Sequence, residues 1–427
     1  MLSVLRNRTY RHLFAAQVIA LTGTGLATVA LGLLAYDIAG ADAGAVLGTA
    51  LTIKMGAYVL IAPAIGAAAD RLPRRALMVG SDLIRGGTAL ALPFVTEVWQ
   101  VYALIFLLQA ASAAFTPTFQ ATIPDVLPAE RDYTRALSLS RLAYDLESLF
   151  SPALAAALLT VITDNGLFYG TVAGFAASAA LVASAVLPRP APAPRTGGPY
   201  ARATAGTRLF LAVPQLRSLL ALNLAVAAAG AMVTVNTVVY VRAELGRSAG
   251  DVALALGAYG AGSMIAALLL PRLLDRTGDR TVMLRGGLLL TPVFAGLALI
   301  TTADGGAWRW PALLASWAAF GAAASLVLTP TGRLIRRSAP PEQRAPAFAA
   351  QFSLSHAAWL LTYPLAGWLG AAAGLSSAVL ALGAIALAAG LLAVRLWPRA
   401  ARGAPASAPD SPVVGREYAH RGTRGSR

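Results

Sequence analysis

The sequence predicts an all-α integral membrane protein, with twelve transmembrane helices in two six-helix, pseudo-symmetric halves. Composition is the first reason. The 427 residues are 57% hydrophobic and 12% charged, with a mean hydropathy of +0.65, whereas soluble domains carry about 25% charged residues. The second is the recurrence of apolar windows about 20 residues long, enough for a helix to cross roughly 30 Å of hydrocarbon. The third is an internal repeat. Gly66–Gly87 reads GAAADRLPRRALMVGSDLIRGG, and LLDRTGDRTVMLRGG follows at an offset of 205. This sets Asp275, Arg276, Asp279, Arg280 and Met283 in register with Asp70, Arg71, Arg74, Arg75 and Met78.

Taken in order, the spans fall at 12–36, 44–69, 77–96, 99–121, 136–162, 166–187, 216–241, 251–271, 282–302, 311–330, 348–371 and 374–397. Arg and Lys are retained on the cytoplasmic side, which orients them. One set of connectors holds Arg6, Arg8 and Arg11, then Arg71, Arg74 and Arg75, then Arg131 and Arg135, and continues to an Arg-bearing tail. The alternate set carries Arg247 and Arg309 beside acids such as Asp42, Asp164 and Asp304. Both termini are therefore expected in the cytoplasm of a multi-pass protein of the cell (inner or plasma) membrane. The first apolar run is too long for a signal peptide.

Residues 188–214 are rich in Pro, Gly and Arg and read as a linker; the stretch after Pro398 is too polar to bury anything and is expected to be disordered. The division is a six-helix half at 1–187, a cytoplasmic linker at 188–215, a second six-helix half at 216–397 and a tail at 398–427. Thr116-Pro117-Thr118 recurs as Thr329-Pro330-Thr331, and Pro128-Ala129-Glu130-Arg131 as Pro341-Glu342-Gln343-Arg344, both at an offset of 213. Halves repeated in the same orientation imply an axis along the membrane normal.

Several function classes drop out. The net charge of +15 sits in connectors rather than on one amphipathic face, and 33 of the 34 basic residues are Arg, Lys54 being the exception. That pattern reads as composition bias, not nucleic-acid binding. With no cysteine there is no disulfide, thiolate metal site or thiol nucleophile. There is no GxxxxGK[ST] loop, HExxH or nucleophile elbow. No enzyme activity, metal or cofactor is expected.

The opening Asn7-Arg8-Thr9-Tyr10-Arg11 with Gln17, the loop Gly66…Asp70-Arg71…Arg74-Arg75, Asp82-Leu83-Ile84-Arg85, and Phe115-Thr116-Pro117…Ile123-Pro124-Asp125 together carry a resemblance. Over residues 5–397 the chain resembles major facilitator superfamily transporters of the macrolide-efflux and enterobactin-exporter type. The resemblance implies a cytoplasmic latch: Asp70 facing the start of span 11, and Arg74 or Arg75 reaching Asp125. The chain departs from the family at Pro73, where Gly is usual. It also has Gln109 and no Arg in span 4, and Ser151-Pro152-Ala153 where drug–proton antiporters carry a Gly-Pro signature.

The charged positions have two readings each. The loop set Asp70, Arg71, Arg74, Arg75, Asp275, Arg276 and Arg280 is either a solvated, Arg-retaining surface or a gate built on bidentate Arg–carboxylate pairs. Asp82 and Arg85, three apart, pair either as a structural element or as part of that gate. In span 5, Arg141, Asp145 and Ser148 share a helical stripe next to Ser140, Tyr144, Glu147 and Ser151. Ionisable groups at membrane depth normally face a cavity or a partner. Either this face lines the pathway, or Arg141 closes onto Asp145 with Glu147 near the headgroups. Lys54 either snorkels or meets an acid such as Asp145 or Glu147, or an anionic substrate. His356 either packs or carries a proton. Gln17, Thr24 and Thr28 in span 1, and Asn223, Gly230, Thr234 and Thr237 in span 7, form polar uncharged stripes expected to face the pathway.

Apolar walls with few polar groups suit an amphipathic ligand better than a sugar. The expectation is a monomeric secondary transporter in the lipid bilayer. It would export a hydrophobic or amphipathic small molecule (a drug, antibiotic or siderophore-like compound) by alternating access coupled to protons. An importer or facilitator of the same fold, or a non-transporting membrane scaffold or sensor, is the alternative.

Overall fold

A chain this apolar can satisfy its backbone within hydrocarbon only by hydrogen-bonding each segment to itself, as helix. The computed structural model describes residues 2–39, 43–68, 72–188 and 198–398, and among these its long elements are all helices. The first six are α1 (Arg8–Ala39), α2 (Ala43–Ala68), α3 (Arg74–Ala91), α4 (Val98–Val126), α5 (Glu130–Leu158) and α6 (Asp164–Ser184). The second six are α7 (Pro214–Val238), α8 (Ala249–Arg276), α9 (Asp279–Thr302), α10 (Arg309–Leu328), α11 (Arg344–Ala373) and α12 (Leu375–Leu396).

Among the described residues, eight of the helices are long and apolar enough to cross a membrane on length and composition. For two of the other four, the cause is local. Helix α3 carries Arg74, Arg75, Asp82 and Arg85, and α5 carries Arg141, Asp145 and Glu147 besides its charged first turns. Large apolar side chains such as Leu60, Phe94 and Trp368 are exposed on the outside of the bundle, as a lipid-facing surface requires.

The two halves pack alike. Helix α1 lies on α5 and α6, α3 on α4 and α6, and α2 on α4; in the second half α7 lies on α11 and α12, α9 on α10 and α12, and α8 on α10. Small residues set the tightest of these approaches. A Cβ on Gly262 of α8 would lie 1.9 Å from the carbonyl oxygen of Ala318 in α10. Between halves, α2 packs on α11 and α5 on α8, with α4 also touching α11.

Four details differ from the sequence reading. Helix α5 begins at Glu130, about two turns before the expected 136, so Glu147 sits near its middle rather than close to an end, where one of the two alternatives put it. Thr116-Pro117-Thr118 lies inside a continuous α4, whereas its counterpart breaks α10 at Leu328, ahead of a short helix Thr331–Ser338. The linker is not featureless: Ala205–Ala212 is a helix that buries Phe210. In it, Gly206 lies so close to α11 that a Cβ would meet the Pro346 carbonyl oxygen at 2.1 Å. Thr237 turns away from the interior between the halves, accepting a 2.7 Å bond from Trp317 Nε1 of α10.

Candidate functional site

The charged connectors meet on one face of the bundle. Arg74 and Arg75 open α3, where positive charge is disfavoured by the helix dipole, and each is compensated. Arg74 Nη1 donates to Asp125 Oδ2 at 2.6 Å, and Arg75 Nη2 to the Ala185 carbonyl oxygen at 2.5 Å. Asp125 takes a second bond, 3.2 Å, from Arg344 at the start of α11. The carboxylate thus joins α3, α4 and α11, two of them in one half and one in the other.

A second cluster mirrors the first with its signs exchanged. Asp279, at the position of Arg74 in the repeat, accepts from Arg337 Nη1 at 2.6 Å and forms an ion pair with Arg333 Nε at 2.9 Å. Arg333 also reaches Glu130 of α5 at 2.7 Å, and Arg337 pairs with the same carboxylate. Arg336 donates to the Pro128 carbonyl oxygen, and Arg131 stands 4.0 Å from Asp275. All four of these contacts cross between halves. Asp70 and Arg71 lie outside the described residues. Arg276 and Arg280 make no ion pair among the described residues.

Above this face lies a cavity of about 210 Å³ between the halves. Gln17, Gln120, Arg141 and Tyr144 line one side, and Gln351 and Phe352 of α11 line the other. Gln17 accepts a 3.0 Å bond from Ser140, which holds α1 to α5. Asn223 does not line the cavity. It is buried in α7 and donates to Gln351 Oε1 at 3.1 Å, one layer behind the wall. Gly230 likewise faces α11, where the Trp359 ring lies flush on its backbone.

Where α5 meets α8 the polar stripe closes into a ring. Arg141 Nη2 pairs with Asp145 Oδ1 at 3.0 Å, Arg141 Nε donates to Ser263 Oγ at 3.0 Å, and Ser263 Oγ donates to Asp145 Oδ2 at 2.7 Å. The closed Arg141–Asp145 pair is therefore present, with a hydroxyl from the other half as third member. Glu147 does not sit with it. Its neighbours are Ser151 and Lys54. Gly25 of α1 makes room there, since a Cβ would fall 2.9 Å from Glu147 Oε1.

Lys54 stands 5.8 Å over the Tyr58 ring, and Tyr58 donates to Gln109 Oε1 at 2.8 Å. His356 meets the Tyr58 ring edge-on with 4.7 Å between centroids, and its Nδ1 lies 2.6 Å from the Phe352 carbonyl oxygen. Both contacts lie where α2 packs on α11. Asp82 and Arg85 form a buried ion pair inside the first half. Ser178 of α6 donates to Asp82 at 2.7 Å, and the guanidinium sits 4.5 Å from both the Phe115 and Phe175 rings. None of these partners belongs to the second half.

Sequence reasoning gave no role to Ser263, Arg333 or Arg337, and named Glu130 and Arg344 only as members of the repeat. A lone serine in an apolar helix gives no signal. The other four lie in the repeated block at offset 213, and its alignment was the available clue.

Two six-helix halves around an internal cavity, shut on one face by ion pairs from half to half, are the construction of a membrane transporter. A sequence profile described as the Major Facilitator Superfamily matches residues 13–309 and 219–422, and the chain belongs to that family. It is 29% identical over 153 residues to macrolide efflux protein A of Streptococcus pyogenes, covering 33% of this chain and 38% of that protein. It is 30% identical over 138 residues to macrolide efflux protein A of Enterococcus faecalis, covering 30% and 42%. An uncharacterised MFS-type transporter, YfiS of Bacillus subtilis strain 168, is 27% identical over 124 residues, 29% of this chain and 30% of that protein. The aligned segments thus span less than half the length of each relative.

Solved structures share the fold over nearly the whole chain. The human organic anion transporter MFSD10 superposes with a TM-score of 0.74 at 16% identity, covering 90% of this chain and 99% of that one. A bacterial homologue of the iron transporter ferroportin, in an outward-facing state, gives 0.72 at 15%, covering 91% and 99%.

Proposed function

We propose that this protein exports a hydrophobic or amphipathic small molecule across the cell membrane, exchanging it for protons by alternating access. The division into halves 1–187 and 216–397 is taken as the unit of motion, with both termini and the Arg-rich face in the cytoplasm. The observation that carries the reading is the arrangement of contacts between halves. Ion pairs gather on the Arg-rich face below the cavity, a geometry suited to a state closed to the cytoplasm.

Asp145 is the proposed coupling carboxylate. It lies near mid-helix at the contact of α5 with α8, and its ring includes one group from the opposite half. A protonated Asp145 gives up its charge-assisted bonds to Arg141 and Ser263, which weakens the contact that separation of the halves must break. Glu147 and Lys54 are a second set of opposite charges at this level of the bundle. The walls, Phe119, Tyr144, Phe348 and Phe352 with the amides of Gln17, Gln120 and Gln351, fit a largely apolar solute with a few acceptors. The macrolide efflux relatives support export of such compounds.

Everted vesicles loaded by a pH gradient provide the test. Accumulation of a macrolide or similar amphipathic compound that collapses with a protonophore is expected. Accumulation insensitive to the protonophore would remove proton exchange from the reading, and no accumulation of any amphipathic compound would remove export.

A further inference from the structure

The two halves repeat one contact and fail to repeat it in one place. Arg75, the second residue of α3, donates to the carbonyl oxygen of Ala185, the residue just after α6. Arg280 is its counterpart at the second position of α9, and the residue just after α12 is Trp397. There the contact is missing. Arg280 has no hydrogen-bond or ion-pair partner among the described residues, and its Nε is shielded from solvent. Between these elements lies a cavity of about 370 Å³, with Arg280, Arg337, Gln215 and Ser338 supplying polar groups and Leu334 and Trp397 apolar walls.

The lining favours an anion. The Asp279 carboxylate also borders the cleft, but Arg337 and Arg333 hold its two oxygens at 2.6 and 2.9 Å. Arg280 therefore borders the cleft without an opposing charge of its own among the described residues. Helix α9 has Gly278 at its N-cap and no side-chain cap, so its first amides add donors and the positive end of the helix dipole on the same side.

We propose that this cleft binds a phosphate-bearing anion, and that the occupant is the headgroup of an anionic phospholipid. The cleft lies at the Arg-rich ends of membrane-spanning helices, the depth at which headgroups lie. Basic pockets between helices on that side recognise such headgroups, and Trp is favoured at the interface. Leu334 and Trp397 offer apolar surface to the glycerol and upper acyl chain, while Arg280, with Gln215 and Ser338, receives the phosphate oxygens.

The purified full-length protein would be examined by native mass spectrometry with phosphatidylglycerol, with phosphatidylcholine, and with inorganic phosphate alone. Phosphatidylglycerol should be retained roughly fivefold better than phosphatidylcholine, the effect of one basic group at a headgroup. Arg280→Gln should remove that preference. Gln215→Glu should do the same by placing a carboxylate in the cleft, and serves as the test if Arg280→Gln does not fold. Arg75→Gln, altering the arginine already bonded to Ala185, should keep it. Equal retention of both lipids by the parent and both cleft variants would overturn the site. Retention of inorganic phosphate that Arg280→Gln abolishes, without a preference between lipids, would overturn the lipid assignment in favour of a soluble phosphate.

Discussion

Neutralising Asp125 should open the Arg-rich face, and the size of the effect follows from which of its bonds crosses the molecule. The bond from Arg74, 2.6 Å, joins α3 to α4 within one half. It survives any rigid separation of the halves, so its loss in Asp125→Asn destabilises open and closed states alike and cancels. The bond from Arg344, 3.2 Å, joins α4 to α11 and exists only while the face is shut. A hydrogen bond to a charged group contributes about 1.5–3 kcal/mol when dry and an exposed pair no more than about 1 kcal/mol. The side chains here are 16% and 22% exposed. We take about 1–2 kcal/mol between those limits.

At about 1.4 kcal/mol per factor of ten, the ratio of open to closed protein should rise roughly 5- to 30-fold. The chain has no cysteine, so Ile123→Cys, on the cavity wall and buried in the closed state, reports opening by its rate of labelling with an impermeant maleimide in everted vesicles. Asp125→Asn and Arg344→Gln should each raise that rate by this factor, and the double variant should add little, because one bond is removed in all three. Labelling within twofold of the parent in both single variants would refute the reasoning. So would additive effects in the double variant.

Asp145→Asn should retain downhill exchange of substrate but lose accumulation driven by a pH gradient; unchanged pH-driven accumulation there and in Glu147→Gln would remove both acids from coupling. Gly262→Ala should lower stability by about 1–3 kcal/mol through overpacking against the Ala318 backbone. Gly257→Ala on the same helix, with nothing within 4 Å of its new Cβ, should leave the thermal unfolding midpoint nearly unchanged, and equal losses in the two would contradict the packing argument. A cysteine at Arg202, in the linker, should resist impermeant thiol reagents in intact cells and react in everted vesicles. Rapid labelling in intact cells would reverse the assigned orientation.

The sequence by itself determined the architecture. Apolar windows force helices, because hydrocarbon offers the backbone no other partner, and the repeats at offsets 205 and 213 impose two like halves. That Arg74 or Arg75 would reach Asp125 was implied by the resemblance, and the structure gives that place to Arg74 while Arg75 turns to Ala185. Pairing across the chain was not legible. The sequence left Lys54 with two possible acids, and the packing of the helices decided between them. Because α5 packs on α8, Asp145 comes opposite Ser263 and is taken by Arg141, leaving Glu147 on the side of Lys54 and Gly25. Asn223 looked like a pathway residue because helical period gives a face but not the neighbour that covers it, here Gln351. The repeat set Asp279 in register with Arg74 and so showed the change of sign, but not that Arg333 and Arg337 would meet it. Ion pairs depend on distance between side chains, not on their order, so only the tertiary structure could assign them.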